Sequence, residues 1–108
     1  MVTEERIIAL AMAEHLVNAL KRIPVARTLW VGADRGTTIL WVVTHPFPFD
    51  PDTSNSLYEA ASVLDDAFPG HDFRYYVLNP CNYATDDPDD HFRSVIHDDA
   101  VPFDVHAA

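Results

Sequence analysis

The sequence predicts one α+β domain, in which a small mixed sheet of three to four strands packs with helices. Apolar residues at helical spacing near the N-terminus predict the first helix. Two segments rich in β-branched and aromatic residues predict a strand pair, and later proline and glycine breaks separate the remaining elements. The predicted order is α-β-β-α-β-(α-β). A chain of 108 residues with 48% hydrophobic residues supports a single core over residues 1–108.

The first predicted element is a helix over residues 3–22. Thr3 is a suitable N-cap, and acidic residues in the first turn with basic residues in the last complement the helix dipole. Pro24 ends the helix. A wide apolar stripe predicts burial against a sheet or a second chain. Its members are Ile7, Ile8, Leu10, Met12, Leu16, Val17, Leu20 and Ile23.

A β-hairpin is predicted next, with strands at Thr28–Val31 and Thr37–Val43. The five residues from Gly32 to Gly36 are the expected connection. Alternation places apolar side chains on both faces of each strand. The hairpin is therefore expected inside a sheet that is covered on both sides.

Residues 45–52 contain three prolines and predict a loop. A helix over residues 53–68 should follow, capped by Asp52, by Ser54, or by a capping box of Ser56 with Glu59. Its predicted buried stripe consists of Leu57, Ala61, Leu64 and Phe68. Pro69 and Gly70 end this helix, and the segment "DFRYYVLN" predicts a third strand over residues 72–79.

The C-terminal third has a weaker pattern. The segment "PCNYATDDPDD" reads as an acidic loop, and residues 91–97 predict a short helix. The segment "AVPFDV" predicts a short strand, which Pro102 confines to the edge of the sheet.

Charge is the most unusual bulk property, with 17 acidic against 7 basic residues and a net charge of −10. Such a chain repels phosphate backbones, so direct nucleic-acid binding is not expected. The acidic surface favours solubility and suits a basic protein partner.

Location is predicted from the cysteine content and the apolar runs. Cys81 is the single cysteine, so no intramolecular disulfide forms and a reducing compartment is expected. The apolar run over residues 7–13 is too short for a membrane span and follows acidic residues, unlike a signal peptide. We therefore expect a soluble cytoplasmic protein.

The segment "VGADRGTTILWVV" resembles part of the minimal nucleotidyltransferase fold. In that superfamily a strand ending in a Gly-Ser turn precedes a strand carrying Asp-x-Asp, and a later strand carries a third carboxylate. Here Gly32 and Ala33 fall at the turn, and "TTILWVV" is similar to "SDIDLLV". The segment "DFRYYVLN" stands at the later strand, and "FRSVIHDDAVPF" is similar to the "ReilreGvvl" close of such domains. The spacing from turn to strand is shorter here than in the family.

The catalytic groups of that family are missing. Nucleotidyl transfer needs carboxylates that converge on two magnesium ions, and Asp-x-Asp supplies two of them from one strand face. The corresponding positions here are Thr38 and Leu40, and the serine of the turn is Ala33. Asp72 is the remaining candidate for a third carboxylate, and alone it cannot hold two metals. The resemblance therefore implies a degenerate active site, with no catalytic or cofactor-binding residues and no cofactor.

An acidic cluster and the lone cysteine are the other candidates for chemistry. The cluster consists of Asp86, Asp87, Asp89, Asp90 and His91. It lacks the glycine and closing glutamate of a calcium loop, so a solvated loop or a patch facing a basic partner is favoured over a metal site. Cys81 follows the third strand and is favoured as a small buried residue over a nucleophile.

Four aromatic residues are candidates for an interaction surface. Trp30, Trp41, Phe47 and Phe49 would form an apolar patch suited to protein contact if the tryptophans lie on an uncovered sheet face. Otherwise they are core residues.

Two functions are consistent with the sequence. The favoured hypothesis is a non-catalytic protein that acts through protein–protein contacts, either with itself or with a basic partner. The alternative is a nucleotide binder or nucleotidyltransferase-like enzyme with a degenerate pocket.

Overall fold

A computed structural model describes residues 4–48, 50–80 and 87–106. Its helices are α1 (Glu4–Leu20), α2 (Pro51–Ala60), α3 (Ser62–Ala67) and α4 (Pro88–His91). Its strands are β1 (Ala26–Asp34), β2 (Thr37–Thr44), β3 (Phe73–Leu78) and β4 (Val101–Asp104). In this part of the chain no helix is long and apolar enough to cross a membrane.

The four strands form one mixed sheet in the order β3-β2-β1-β4. β1 pairs antiparallel with β2 on one side and with β4 on the other, whereas β3 lies parallel to β2. The parallel pair follows from α2 and α3, which carry the chain back across the sheet between β2 and β3. The predicted α+β fold class is thus confirmed.

Helices cover one face of the sheet. The apolar side of α1 packs on β1 and β2, and α2 and α3 complete the layer. The fully buried side chains of this core are Met12, Ala13, Leu16, Leu20, Ala26, Leu29, Leu40, Val42, Leu57, Leu64 and Val105. Packing on the sheet and on α2 and α3 thus explains most of the wide stripe of the first helix, whereas Ile7, predicted to belong to it, is 57% exposed.

A second, smaller core lies on the opposite face. Residues 88–100, which we call the cover segment, place Ile96 against Ile39, Trp41 and Val43 of β2. Trp30, Leu78, Phe92 and Ala100 pack around them. The expectation that the hairpin is covered on both sides is confirmed.

The hairpin turn is shorter than predicted. β1 continues to Asp34, which pairs with Thr37, so only Arg35 and Gly36 remain in the turn. Both have positive φ, 52° and 84° respectively, as a two-residue turn that follows the twist of its strands requires. The prediction of a five-residue connection from Gly32 was wrong because Gly32 pairs with Ile39 within the ladder.

The helical segment after β2 also differs from its prediction. It begins at Pro51 and is divided at Ala61 into α2 and α3. The N-cap is Asp50, whose carboxylate accepts from the Asp52 amide at 3.2 Å and from the Thr53 hydroxyl at 2.6 Å. The predicted caps Asp52, Ser54 and Ser56 therefore lie inside the helix. Pro51 begins the helix because its fixed φ and missing N–H suit the first helical position.

The C-terminal elements are partly as predicted. β4 is an edge strand with Pro102 opposite Trp30, which confirms that prediction. The helix predicted over residues 91–97 is wrong, because α4 lies earlier, over Pro88–His91, with Asp87 as its N-cap.

β3 lies inside the predicted third strand, and α1 inside the predicted first helix. The predicted N-cap Thr3 lies outside the described residues.

Candidate interaction surface

Asp89 fastens the cover segment to the sheet. Its carboxylate accepts hydrogen bonds from Trp30 Nε1 at 2.8 Å, Arg27 Nε at 3.0 Å and Thr28 Oγ1 at 3.0 Å. α4 places this side chain over β1, and only 17% of it is exposed. The three donors satisfy a largely buried carboxylate, which gives Asp89 a structural role.

A cavity of about 670 Å³ opens beside this cluster, and it is lined by charged groups of both signs. Its lining residues are Arg27, Thr28, Trp30, His45, Asp87, Asp89, Pro102, Asp104 and His106. The Arg27 guanidinium already pairs with Asp89 and lies 3.9 Å from Asp87. A ring nitrogen of His106 lies 3.2 Å from the Ile23 carbonyl oxygen. Several polar side chains that line the cavity thus already bond to other groups of the protein.

Residues of the acidic cluster, the predicted candidate for a metal site, make separate structural contacts. Asp87 caps α4, Asp89 bonds to the sheet, and the His91 ring packs on Phe92 at 4.9 Å between centroids. Asp86 lies outside the described residues. Among the residues that the structure describes, no group of three or more metal-ligating side chains converges.

The two residues that the sequence resemblance places at the Asp-x-Asp positions face the helices. The side chains of Thr38 and Leu40 are 3% and 0% exposed, on the side of β2 that carries α1. Ala33 lies opposite Thr38 in the hairpin. Asp72 precedes β3, and its backbone carbonyl accepts from the Thr38 amide at 3.1 Å.

The aromatic interaction candidates do not share one surface. Trp41 is 3% exposed and lies under the cover segment, where the His97 ring contacts it at 4.9 Å. Trp30 is half-buried, with its indole N–H bonded to Asp89 and the Arg93 guanidinium over its ring. Phe47 packs into the helix-side core. The condition of an uncovered sheet face is therefore not met for Trp41. Phe49, like Cys81, lies outside the described residues.

A different surface stands out at the end of the sheet. β3 is an edge strand, and on its outer side it pairs with no strand in the described part of the chain. We call that side the open edge of β3. Strand edges of this kind present rows of backbone donors and acceptors to which another chain can add a strand.

The hydrogen-bond pattern identifies the backbone groups on the open edge. The Thr38 amide donates to the Asp72 carbonyl, and Thr38 lies opposite Phe73 in the parallel register. In a parallel ladder both backbone groups of alternate residues point the same way. The N–H and C=O groups of Arg74 and Tyr76 therefore face β2, and those of Phe73, Tyr75 and Val77 face outward.

Exposed apolar side chains flank this edge on both faces of the sheet. Tyr76 is 44% exposed, and Val95 of the cover segment, 54% exposed, borders the same shallow cavity. On the helix side Tyr58 is 57% exposed, and its ring meets that of Tyr75 edge-on at 6.3 Å. Ile7 is the remaining large apolar side chain with such exposure among the described residues. Exposed apolar surface is thus concentrated beside β3.

Tyr75 anchors the middle of the strand. Its hydroxyl donates to the Leu57 carbonyl at 2.7 Å and so ties β3 to α2. Burial, and to a smaller extent the neighbouring Tyr58, raises the pKa of the Tyr75 phenol well above its ordinary value. This bond holds β3 against the helix layer, and within residues 4–48, 50–80 and 87–106 no strand pairs with its outer side.

The opposite edge of the sheet is protected by its sequence. β4 has four residues and contains Pro102, which has no N–H to offer an incoming strand. β3 has six residues, no proline and only one charged residue, Arg74. Those properties of "FRYYVL" are typical of segments that pair with other strands, and they are the signal that the sequence carries for this surface once β3 is known to be an edge strand.

No family model, curated protein or solved structure matches this chain.

Proposed function

We propose that this domain is a non-catalytic protein-binding module that accepts an extended strand at the open edge of β3. The observation that carries this proposal is the outward direction of the backbone groups of Phe73, Tyr75 and Val77, which pair with no strand in residues 4–48, 50–80 and 87–106. Addition of a strand to a sheet edge is a recurrent mode of peptide recognition.

The flanking side chains supply selectivity. In strand addition the main chain contributes hydrogen bonds whatever the sequence, whereas pockets for alternate side chains select the partner. Tyr58 lies on the helix side of the edge, and Tyr76 with Val95 on the other, so apolar side chains are favoured on both faces of the incoming strand. Tyrosine is well suited to this role because it offers a large rigid surface with a polar end.

Charge favours a basic partner. The chain carries a net charge of −10, which attracts positively charged residues beside an incoming strand and speeds their encounter. The proposed ligand is therefore an extended segment with an apolar centre, and basic residues beside that centre would strengthen its binding.

A pair of substitutions at one position tests the proposal. Val77→Pro removes an outward N–H without touching the ladder to β2, and Val77→Ala removes the side chain but keeps that N–H. We would select extended peptides from a random displayed library against the protein and measure their affinity for both variants by fluorescence anisotropy. Val77→Pro should weaken binding about tenfold relative to Val77→Ala, which corresponds to about 1.4 kcal/mol.

Both variants must first show the same circular dichroism and cooperative unfolding, so that a loss of binding reports on the edge. Selected peptides that bind Val77→Pro as well as Val77→Ala would contradict the proposal, as would a library that yields no binders.

A further inference from the structure

We infer that the open edge of β3 pairs with the same edge of a second copy of this chain, antiparallel, with Tyr75 on the two-fold axis. This inference rests on the proposed strand addition and names its occupant. The two sheets would join into one continuous sheet in the order β4-β1-β2-β3-β3-β2-β1-β4. A two-fold axis makes such a contact self-complementary and closes the assembly at two chains.

Backbone geometry selects this register. Residues with outward groups can form the hydrogen-bonded pairs of an antiparallel ladder, in which two opposed residues exchange both bonds. With Tyr75 opposite the partner's Tyr75, Phe73 lies opposite the partner's Val77, and every outward group of β3 is used. Each of the three opposed pairs exchanges two hydrogen bonds, which gives about six in all.

The neighbouring registers are less favourable. With Tyr76 on the axis, Phe73 lies beyond the end of the partner's β3 and loses its pairing within the strand. With Arg74 on the axis, two guanidinium groups lie directly opposite each other, and like charges in opposed positions destabilise a strand pair. Hydrogen bonding and charge therefore both favour the register that has Tyr75 on the two-fold axis.

The side chains complement each other in the selected register. On the helix side Phe73 and Val77 extend one apolar row across the junction, next to Tyr58. On the other face Arg74, the only charged residue of β3, lies opposite the partner's Tyr76. A guanidinium over a tyrosine ring is an attractive contact, and the two-fold axis places two such contacts in the dimer.

The acidic charge of the chain acts against this association. Two chains of net charge −10 repel each other, and salt screens that repulsion. Self-pairing should therefore strengthen as ionic strength rises, whereas binding of a basic peptide at the same edge should weaken. This opposite dependence separates the two kinds of partner.

Cysteine cross-linking tests both the partner and the register. In a background carrying Cys81→Ser, one preparation has Arg74→Cys and the other Tyr76→Cys, with tags of different size. In the selected register these positions form a non-hydrogen-bonded pair with Cα atoms about 4.5 Å apart, within reach of a disulfide. Two copies of the same position, either 74 with 74 or 76 with 76, would be diagonal neighbours about 7–8 Å apart. Mild oxidation of the mixture should yield mainly the mixed disulfide dimer on a non-reducing gel.

The controls make each outcome decisive. Glu14→Cys, on an exposed part of α1, reports cross-linking by random collision. Efficient cross-linking of Tyr76→Cys alone, or of Arg74→Cys alone, would overturn the register. No cross-link above the Glu14→Cys level would overturn the second copy as occupant. If selected peptides then still distinguish Val77→Pro from Val77→Ala, strand addition stands without self-pairing. Loss of that distinction as well would overturn both.

Discussion

The indole Nε1 of Trp30 donates a hydrogen bond of 2.8 Å to Oδ1 of Asp89, 59 positions further along the chain. With the bonds from Arg27 and Thr28, this contact attaches the cover segment to the centre of the sheet. The same segment places Ile96 over the buried ring of Trp41 in the second core. The Asp89 carboxylate therefore helps to hold the cover segment on this face of the sheet.

Replacing Asp89 by alanine should destabilise the protein by about 3 kcal/mol, because three donors lose a charged acceptor in a largely buried position. Asp89→Asn keeps an acceptor for the indole and should cost less. Asp98→Ala, at an exposed position of the cover segment, is the control. Urea unfolding followed by tryptophan fluorescence measures all three, and equal stability of Asp89→Ala and Asp98→Ala would contradict this role.

Tyr75→Phe should lower stability by about 1 kcal/mol at neutral pH through loss of the hydrogen bond to Leu57. It should also change the response to alkali. The pKa of Tyr75 is raised by burial, and secondarily by Tyr58, so its phenol ionises in the unfolded chain before it does in the folded one.

Proton linkage gives the direction in which the free energy of unfolding changes with pH. Above about pH 10 the folded state binds more protons at this site than the unfolded state, so stability is lost as pH rises, by at most about 1.4 kcal/mol per pH unit. Unfolding curves between about pH 9 and pH 11 should fall more steeply for the wild type than for Tyr75→Phe. Tyr76→Phe, in which a 44% exposed ring is altered, serves as the matched control. Parallel curves for all three proteins would contradict the burial of this phenol.

The hairpin turn offers substitutions of opposite sign. Arg35 has φ of 52°, which asparagine adopts more readily, so Arg35→Asn should stabilise by about 0.5 kcal/mol. Gly36→Ala should destabilise by about 1 kcal/mol, because φ is 84° there while no neighbouring atom lies within 4 Å of an added Cβ. Thermal unfolding measures both. A stabilising Gly36→Ala would show that the turn has another conformation.

Nucleoside triphosphates with magnesium should leave the unfolding midpoint unchanged. Thr38 and Leu40, which the sequence resemblance places at the Asp-x-Asp positions, are not carboxylates and are buried against the helices. A ligand present at about one hundred times its dissociation constant would add about 2.7 kcal/mol and raise the midpoint by roughly ten degrees or more. A magnesium-dependent rise of that size would favour the nucleotide-binding alternative.

Local patterns were sufficient for most elements and for both covered faces of the sheet. Helical spacing located α1, and alternation located β2 and β3. The errors arose where two local signals compete. The glycine signal predicts a turn at Gly32, but Gly32 lies in β1 beneath the Trp41 ring, where an added Cβ would come within 3.4 Å of that ring.

The candidate surface could not be located from sequence in the same way. Which strand lies at an edge depends on the order β3-β2-β1-β4, and that order is set by pairings between distant segments. The same holds for Asp89, whose partners lie 59 to 62 positions away. The sequence does carry the absence of proline and the single charge of "FRYYVL", but their meaning appears only once β3 is known to end the sheet.

Amide hydrogen exchange, resolved by residue with NMR, tests the open edge most directly. In dilute protein the amides of Phe73, Tyr75 and Val77 should exchange rapidly, while those of Arg74 and Tyr76 are protected by β2. As protein concentration rises, protection should appear at the three outward amides together and leave the other two unchanged. Rapid exchange of the outward amides at every concentration would contradict self-pairing. Protection of all five in dilute protein would contradict the open edge itself.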